Sequence, residues 1–204
     1  MADSPPLLES MVDRDPFVQL RRWIEDGARL PVEEPTAAVL ATATAAGAPS
    51  ARVVLLKDVA AAGITFFTNY DSRKGRELAE NPRAALCLHW QPLRRQARVT
   101  GTVERAPAAV SDAYFASRPR GSRLGAWASP QSEVVADRAA LDERYRETVA
   151  RFDGVDAPPR PPHWGGYLLR AAEFEFWRHR DDRMHDRLRY RPDGDGWRIE
   201  RLAP

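Results

Sequence analysis

Five short apolar, β-branched runs crowd the first half of the chain, at residues 37–45, 52–59, 64–69, 84–90 and 96–104. Turn residues separate them: Ala46-Gly47-Ala48-Pro49, Gly63 and Asn81-Pro82. Runs of this length, bounded by Gly, Pro and Asn, read as strands, the first three as an antiparallel meander. A further strand spans 165–177 with a break near Ala171-Ala172. Residues 187–190 and 197–202 form a terminal hairpin around Pro192-Asp193-Gly194-Asp195-Gly196. Many short strands with few helices imply a closed antiparallel barrel with helices packed outside it, a mainly β, α+β fold.

The helices are fewer. Asp15 caps one that begins at Pro16, sets Phe17, Leu20, Trp23 and Ile24 on one face, and ends between Gly27 and Pro31. Ser72 caps a short helix over 73–80, and 108–116 and 138–152 read as two more, with an Arg-, Gly- and Ser-rich loop after the first of these. Residues 1–15, polar and proline-containing, are expected to form a flexible segment. The proline-rich stretch 153–163 is too short to link domains, so 16–204 reads as one domain that includes the C-terminal hairpin.

Composition removes several classes. A single cysteine, Cys87, leaves no intramolecular disulfide framework and no cysteine-rich zinc site. No His pair has metal-site spacing, so no metal is expected. No apolar stretch approaches the roughly 18 residues of a membrane span. The start, Met-Ala-Asp-Ser-Pro-Pro, lacks the basic and apolar regions of a signal peptide, so a cytoplasmic protein is expected. Thirty-one basic against 29 acidic side chains argue against a nucleic-acid partner. Only two of the basic residues are Lys, Lys57 and Lys74. In so Arg-rich a chain a surviving Lys can mark a place that wants a compact ammonium, or be chance.

Several constellations bear on chemistry. In Arg52-Val-Val-Leu-Leu-Lys57 an apolar strand carries charged ends. It is either an ordinary core strand or one buried on both faces whose ends reach an anion. In Thr68-Asn-Tyr-Asp-Ser72-Arg73-Lys74-Gly75 a strand runs into a helix start bearing two cations that oppose the helix dipole. A phosphate supplies a reason for them; a solvated basic turn is the alternative. Tyr114, Arg118 and Ser122 are donors suited to a second phosphate or a carboxylate. Gln131-Ser132 follow, and Trp177 precedes Arg183-Met-His185-Asp186-Arg187, where a His lies between two Arg. The sum is a barrel with two anion sites and aromatic side chains nearby, suited to a phosphorylated aromatic cofactor and an anionic substrate.

These residues resemble the pyridoxine/pyridoxamine 5′-phosphate oxidase family, FMN-binding split β-barrel enzymes. The resemblance rests on 52–57 (RVVLLK), 67–75 (FTNYDSRKG), Asn81-Pro82, Arg95-Gln96, 114–132 (YFASRPRGSRLGAWASPQS), 161–167 (PPHWGGY), 175–177 (EFW), 183–187 (RMHDR) and 201–204 (RLAP), in order along the chain. It implies that Arg52, Arg73, Lys74 and Ser132 hold the FMN phosphate. Val53, Val54, Leu55, Leu56, Lys57, Phe67, Thr68, Gln96, Gln131, Trp177 and Arg187 then line the rest of the cofactor. Lys57, Tyr114, Arg118 and Ser122 grip the substrate phosphate, and Arg183 and His185 act beside C4′ of the pyridine ring. The implied reaction is hydride transfer from C4′ to the flavin, with O2 as acceptor and hydrogen peroxide released. The implied assembly is a homodimer with FMN at the interface.

Two features depart from the family pattern. Residues 1–15 hold no Arg-x-x-Tyr segment, and Arg178-His179 stand where Gln-Gly is common. A related branch, the phenazine-biosynthesis oxidases, shares the scaffold. The alternative is therefore an FMN oxidase of another substrate, such as a phenazine precursor, or a split-barrel protein that binds FMN or pyridoxal phosphate without turnover. Retention of Lys57, Tyr114, Arg118 and Ser122 favours a phosphorylated substrate.

Overall fold

Strand pairing gives the chain its frame. A computed structural model describes residues 5–31 and 33–204. Eight strands form one antiparallel sheet: β1 (Ala37–Ala43), β2 (Pro49–Ala60), β3 (Gly63–Asn69), β4 (Arg83–Trp90), β5 (Arg95–Arg105), β6 (Trp164–Arg178), β7 (Asp186–Asp193) and β8 (Gly196–Arg201). Their order is β3-β2-β1-β4-β5-β6-β7-β8, and a β3–β6 pairing closes the first six into a barrel. Closure pairs the backbone groups that an open edge would leave bare.

The long strand β6 belongs to two structures. Its first part pairs with β3, from Trp164 opposite Asn69 to Leu169 opposite Ile64. Its last part pairs with β7, from Phe174 opposite Tyr190 to Arg178 opposite Asp186. Between them the register against β5 slips: Thr100 faces Glu173 but Gly101 faces Ala171, which leaves Ala172 unpaired. This bulge is the break expected at Ala171-Ala172, and it bends the strand out of the barrel into the hairpin sheet.

Two apolar clusters merge into one core. Leu40, Ile64, Phe66, Leu86, Val99 and Leu169 fill the barrel and are at most 1% exposed. Outside it, helix α1 (Pro16–Ala28) lies over the β6–β8 extension. Asp15 caps that helix by accepting from the Phe17 N–H at 2.8 Å. Phe17 meets Phe174 at 4.9 Å between ring centroids, and Trp23 meets Phe176 at 5.0 Å, both edge-on. Each such buried side chain stabilises the fold by roughly 1.5–3 kcal/mol.

Four more helices follow: α2 (Arg73–Glu80), α3 (Ala108–Ser117), α4 (Arg120–Ala128) and α5 (Arg138–Arg151). The stretch expected as an Arg-, Gly- and Ser-rich loop is largely α4. Two glycines lower its intrinsic helicity. Packing overrides that: Leu124 is buried, and Trp127 Nε1 donates to the Pro159 carbonyl at 2.7 Å.

Two other expectations change. The segment expected to be flexible is anchored from Leu7 onward, while residues 1–4 lie outside the described residues. The Leu7 N–H donates to Asp186 Oδ2 at 3.0 Å, Arg201 pairs with Glu9 at 3.0 Å, and the Tyr190 hydroxyl donates to the Asp13 carbonyl at 2.8 Å. These partners lie at the other end of the chain, so local composition holds no trace of them. Second, β2 is not buried on both faces. Val54 and Leu56 point into the barrel, whereas Val53 is 63% exposed. Among the described residues no helix is long and apolar enough to cross a membrane.

Candidate active site

The alternation of β2 builds the first wall of a cleft. With Val54 and Leu56 turned inward, Leu55 and Lys57 face outward. Beside them β3 contributes Phe67, Thr68 and Asn69, and α3 and α4 close over the top with Tyr114, Arg118 and Ser122. Gln131 and Trp164 complete a cleft of about 460 Å³. The Phe67, Tyr114 and Trp164 rings stack, with centroids 4.0 Å apart for Phe67–Tyr114 and 5.6 Å for Phe67–Trp164. They form an aromatic wall. The Arg118 guanidinium lies 4.7 Å from the centre of the Trp164 ring. Its Nη1 is buried without a hydrogen-bond partner, and burial pulls its pKa down. A desolvated cation with an unused donor in a cleft is a site for an anion.

A second cationic group adjoins the same cleft at the start of α2. Ser72 caps this helix by accepting from the Gly75 N–H. Only glycine fits at 75, because a Cβ there would stand 2.0 Å from the Tyr70 carbonyl oxygen. Lys74 is buried, and its Nζ bonds Thr68 Oγ1 at 3.0 Å, Gln131 Oε1 at 3.1 Å and Ser72 Oγ at 3.4 Å, all neutral. Burial first, and then the charge of Arg52, lower its pKa to about 8. Arg52 reaches Glu77 at 3.4 Å from β2, and Arg73 reaches it at 2.9 Å from the first turn of α2. Three cations against one carboxylate leave a surplus of two positive charges at a helix N-terminus, the charge of a phosphate monoester dianion.

The structure thus brings Leu55, Lys57, Phe67, Thr68, Tyr114, Arg118, Ser122 and Gln131 together, with Arg52, Arg73 and Lys74 alongside. Ser132 follows Gln131 with a φ of 74°, and Arg183 has a φ of 63°. Apart from Arg94, these are the only non-glycine positive-φ residues among those described, and such backbone is retained where the surroundings demand it. The Val54 and Leu56 side chains belong to the core, so only their backbone can reach the cleft. Val53 faces solvent.

Gln96, Trp177, Arg183, His185 and Arg187 do not line this cleft. They gather at the far end of β6. Trp177 lies between Gln96 on β5 and Arg187 on β7, and its ring sits 4.8 Å from His185. His185 Nδ1 accepts from the Arg180 N–H at 3.0 Å, which leaves Nε2 for a ligand. Buried Glu175 grips Arg187 with two bonds of 2.8 and 3.1 Å. Thr68 is opposite Gly165 and Gln96 is opposite Trp177. Twelve residues of strand at ~3.3 Å each put about 40 Å of contour between the two groups.

Sequence reasoning missed Asn69, Trp164, Glu77 and Glu175. Asn69 and Trp164 stood inside quoted motifs, beside residues that were singled out. Glu77 carried one signal, the i,i+4 spacing from Arg73 on α2, but its contact with Arg52 on β2 is tertiary, and Glu175 meets Arg98 and Arg187 through strand pairing. His179, one of the two residues that stand where Gln-Gly is common, lies 5.0 Å from His185.

Comparison with known proteins adds relatives. The profile described as pyridoxamine 5′-phosphate oxidase matches residues 24–150. That described as pyridoxine 5′-phosphate oxidase C-terminal dimerisation region matches 164–204. A pyridoxine/pyridoxamine 5′-phosphate oxidase of Bordetella avium is 56% identical over 97% of this chain and 93% of its own length. One from Ralstonia nicotianae is 58% identical over 95% and 91%. Among solved structures, PhzG from Burkholderia lata 383, in complex with tetrahydrophenazine-1-carboxylic acid, superimposes with a TM-score of 0.90 at 35% identity over all of both chains. An FMN-binding protein from Nostoc punctiforme shares the fold, with a TM-score of 0.70 at 16% identity over 98% of this chain and all of its own.

Proposed function

This chain belongs to the pyridoxine/pyridoxamine 5′-phosphate oxidase family, and from that membership we infer that it oxidises pyridoxine 5′-phosphate or pyridoxamine 5′-phosphate to pyridoxal 5′-phosphate, with FMN as cofactor and O2 as acceptor. One observation carries the reading: two separate cationic groups adjoin a single cleft with an aromatic wall. Two phosphates, one on each of two aromatic molecules, account for both.

The group at α2 fits the FMN phosphate. Arg52, Arg73 and Lys74 supply charge, the first turn of α2 supplies N–H donors, and Ser132 lies close in sequence to Gln131, which bonds Lys74. Leu55, Phe67, Thr68 and Gln131 line the path of the rest of the cofactor. Lys57, Tyr114, Arg118 and Ser122 take the substrate phosphate, and the orphaned Arg118 Nη1 is the donor that awaits it. FMN, when bound there, would supply the two-electron oxidation at C4′, with O2 as the final acceptor. The protein holds the reacting carbon in place. His185, with Nδ1 held by the Arg180 N–H, would offer Nε2 to the C4′ substituent, and Arg183 beside it would face the pyridine ring.

The distant group of Gln96, Trp177, Arg183, His185 and Arg187 joins this site from a second copy of the chain. Three things support a homodimer with FMN at its interface. Within one chain the two half-sites stand twelve residues apart along β6, about 40 Å of strand contour, and the far group does not line the cleft. The C-terminal match is to a dimerisation region. Val39 and Val53, opposite each other in register, are 41% and 63% exposed and form an apolar strip.

The likeness to PhzG favours one second reading, a tricyclic carboxylate as substrate. A single assay separates them. FMN-loaded protein receives pyridoxine 5′-phosphate in air, and pyridoxal 5′-phosphate and hydrogen peroxide are followed together. Equal yields of both are expected. Bound flavin without product would remove the B6 substrate and move the assay to phenazine-type precursors.

A further inference from the structure

Glu77 is an anomaly in a site built for an anion. It is a carboxylate, 4% exposed, beside the cations that would hold a phosphate. Burial alone would push its pKa up. Hydrogen bonds from Ser50, Thr42 and Arg73, with the charge of Arg52, instead hold its pKa down at about 2. Its two oxygens are divided. Oε1 takes the Arg73 Nε at 2.9 Å. Oε2 takes Thr42, Ser50 and, at 3.4 Å, the Arg52 Nη2. Arg52 in turn donates to Ser50, Thr42 and, at 3.3 Å, the Leu40 carbonyl. Arg73 rises from the first turn of α2 and Arg52 from β2, so no backbone contact sets one guanidinium relative to the other. Glu77 does.

We propose that Glu77 is a positioning residue for the cofactor phosphate, clamping Arg52 and Arg73 so that both face the anion together with Lys74. The inference rests on the assignment of these three cations to the FMN phosphate. The Arg73 side chain is 59% exposed and would otherwise sample several rotamers, whereas Arg52, 21% exposed, keeps its bonds to Ser50, Thr42 and the Leu40 carbonyl and loses only its link to Arg73. Ordering such a side chain at the moment of binding weakens affinity. Glu77 orders Arg73 beforehand and relieves the repulsion among three neighbouring cations. Its own negative charge opposes the phosphate, but that charge is already spread over four donors. Removing it therefore loses more through disorder than it gains through field.

The test uses the full-length protein stripped of flavin and titrated with FMN and with riboflavin, which lacks the phosphate, by fluorescence quenching. Wild-type protein should prefer FMN. Glu77→Ala should bind FMN about tenfold more weakly, the scale of one hydrogen bond to a charged group, with riboflavin held within about twofold. Glu77→Gln keeps an acceptor for Ser50 and Thr42 but no charge for two guanidiniums, and should fall between; it also serves if the alanine variant does not fold. In an Arg73→Ala background the same change should cost less, because the two residues act as one unit. Unchanged or tighter FMN binding in both Glu77 variants overturns the proposal, as does an equal loss for FMN and riboflavin. If wild-type protein does not distinguish the two flavins, the phosphate assignment itself is wrong, and the clamp falls with it.

Discussion

Lys74 Nζ stands 3.1 Å from Gln131 Oε1 and so ties the first turn of α2 to the loop after α4, 57 residues away. The bond matters because Lys74 is a buried cation whose protein partners are all neutral, with a pKa lowered to about 8 by burial and by Arg52. An anion beside it would favour the charged form and raise that pKa again.

FMN affinity is therefore expected to be level from about pH 7 to 8 and to fall above that by up to about tenfold per unit, since binding must then take up a proton. Lys74→Arg, charged throughout, should lose this limb. The flavin-free protein behaves oppositely. Between about 8 and 10.5 the unfolded chain keeps the Lys74 proton and the native chain does not, so stability should rise with pH there. Flavin titrations and thermal unfolding across this range check both signs. A level affinity to pH 10 would remove Lys74 from the phosphate.

Lys57→Ala and Arg118→Ala should each raise KM for pyridoxine 5′-phosphate by about 10–100-fold, the worth of a charge-assisted hydrogen bond. KM for unphosphorylated pyridoxine should barely move. Equal losses on the two substrates would show that these side chains shape the cleft without gripping a phosphate.

His185→Ala and Arg183→Ala should lower kcat with FMN binding nearly intact. Losing one positioned hydrogen bond costs about 10²–10³-fold at most in such sites. Initial rates of pyridoxal 5′-phosphate and hydrogen peroxide formation read the effect, and turnover undiminished in both variants would sink the ring-facing role.

Gly75→Ala places a methyl carbon 2.0 Å from the Tyr70 carbonyl oxygen, and backbone cannot yield as a side chain can. The start of α2 must shift. FMN affinity should fall by tenfold or more, and the loss of stability should reach about 1–3 kcal/mol, as for other overpacked sites. Calorimetry with a flavin titration separates the two effects.

Mixing gives the sharpest view of the assembly. Arg118→Ala and His185→Ala lie in different half-sites. After unfolding and joint refolding, about half the dimers should pair one of each and carry one intact site, restoring roughly a quarter of wild-type activity if the interface is isologous. No recovery would mean that each chain works alone.

Much of this was legible in the residues. Asp15, Ser72 and the turn at Asn81-Pro82 mark helix boundaries through local hydrogen bonding and torsion, so those boundaries could be read before any contact was known. Period-two alternation along 52–57 puts Arg52 and Val54 on one face and Val53, Leu55 and Lys57 on the other, which is local geometry alone. The break at Ala171-Ala172 carried its own signal, two small residues within a bulky strand.

Other features came only from the fold. Glycine-rich α4 is a helix because Leu124 and Trp127 find partners that the segment does not contain. Leu7 is anchored by Asp186 and Arg201, from the opposite end of the chain. Glu77 on α2 meets Arg52 through the packing of that helix on the barrel, and Glu175 meets Arg98 and Arg187 across strand pairings, neither of which a single segment encodes. Short-range sterics, hydrogen bonding and charge already assign strands, helix starts and cations before any tertiary contact forms. Barrel closure decided which cations share a cleft and which stand at the far end of β6, since register and closure are set by the packing of the whole core.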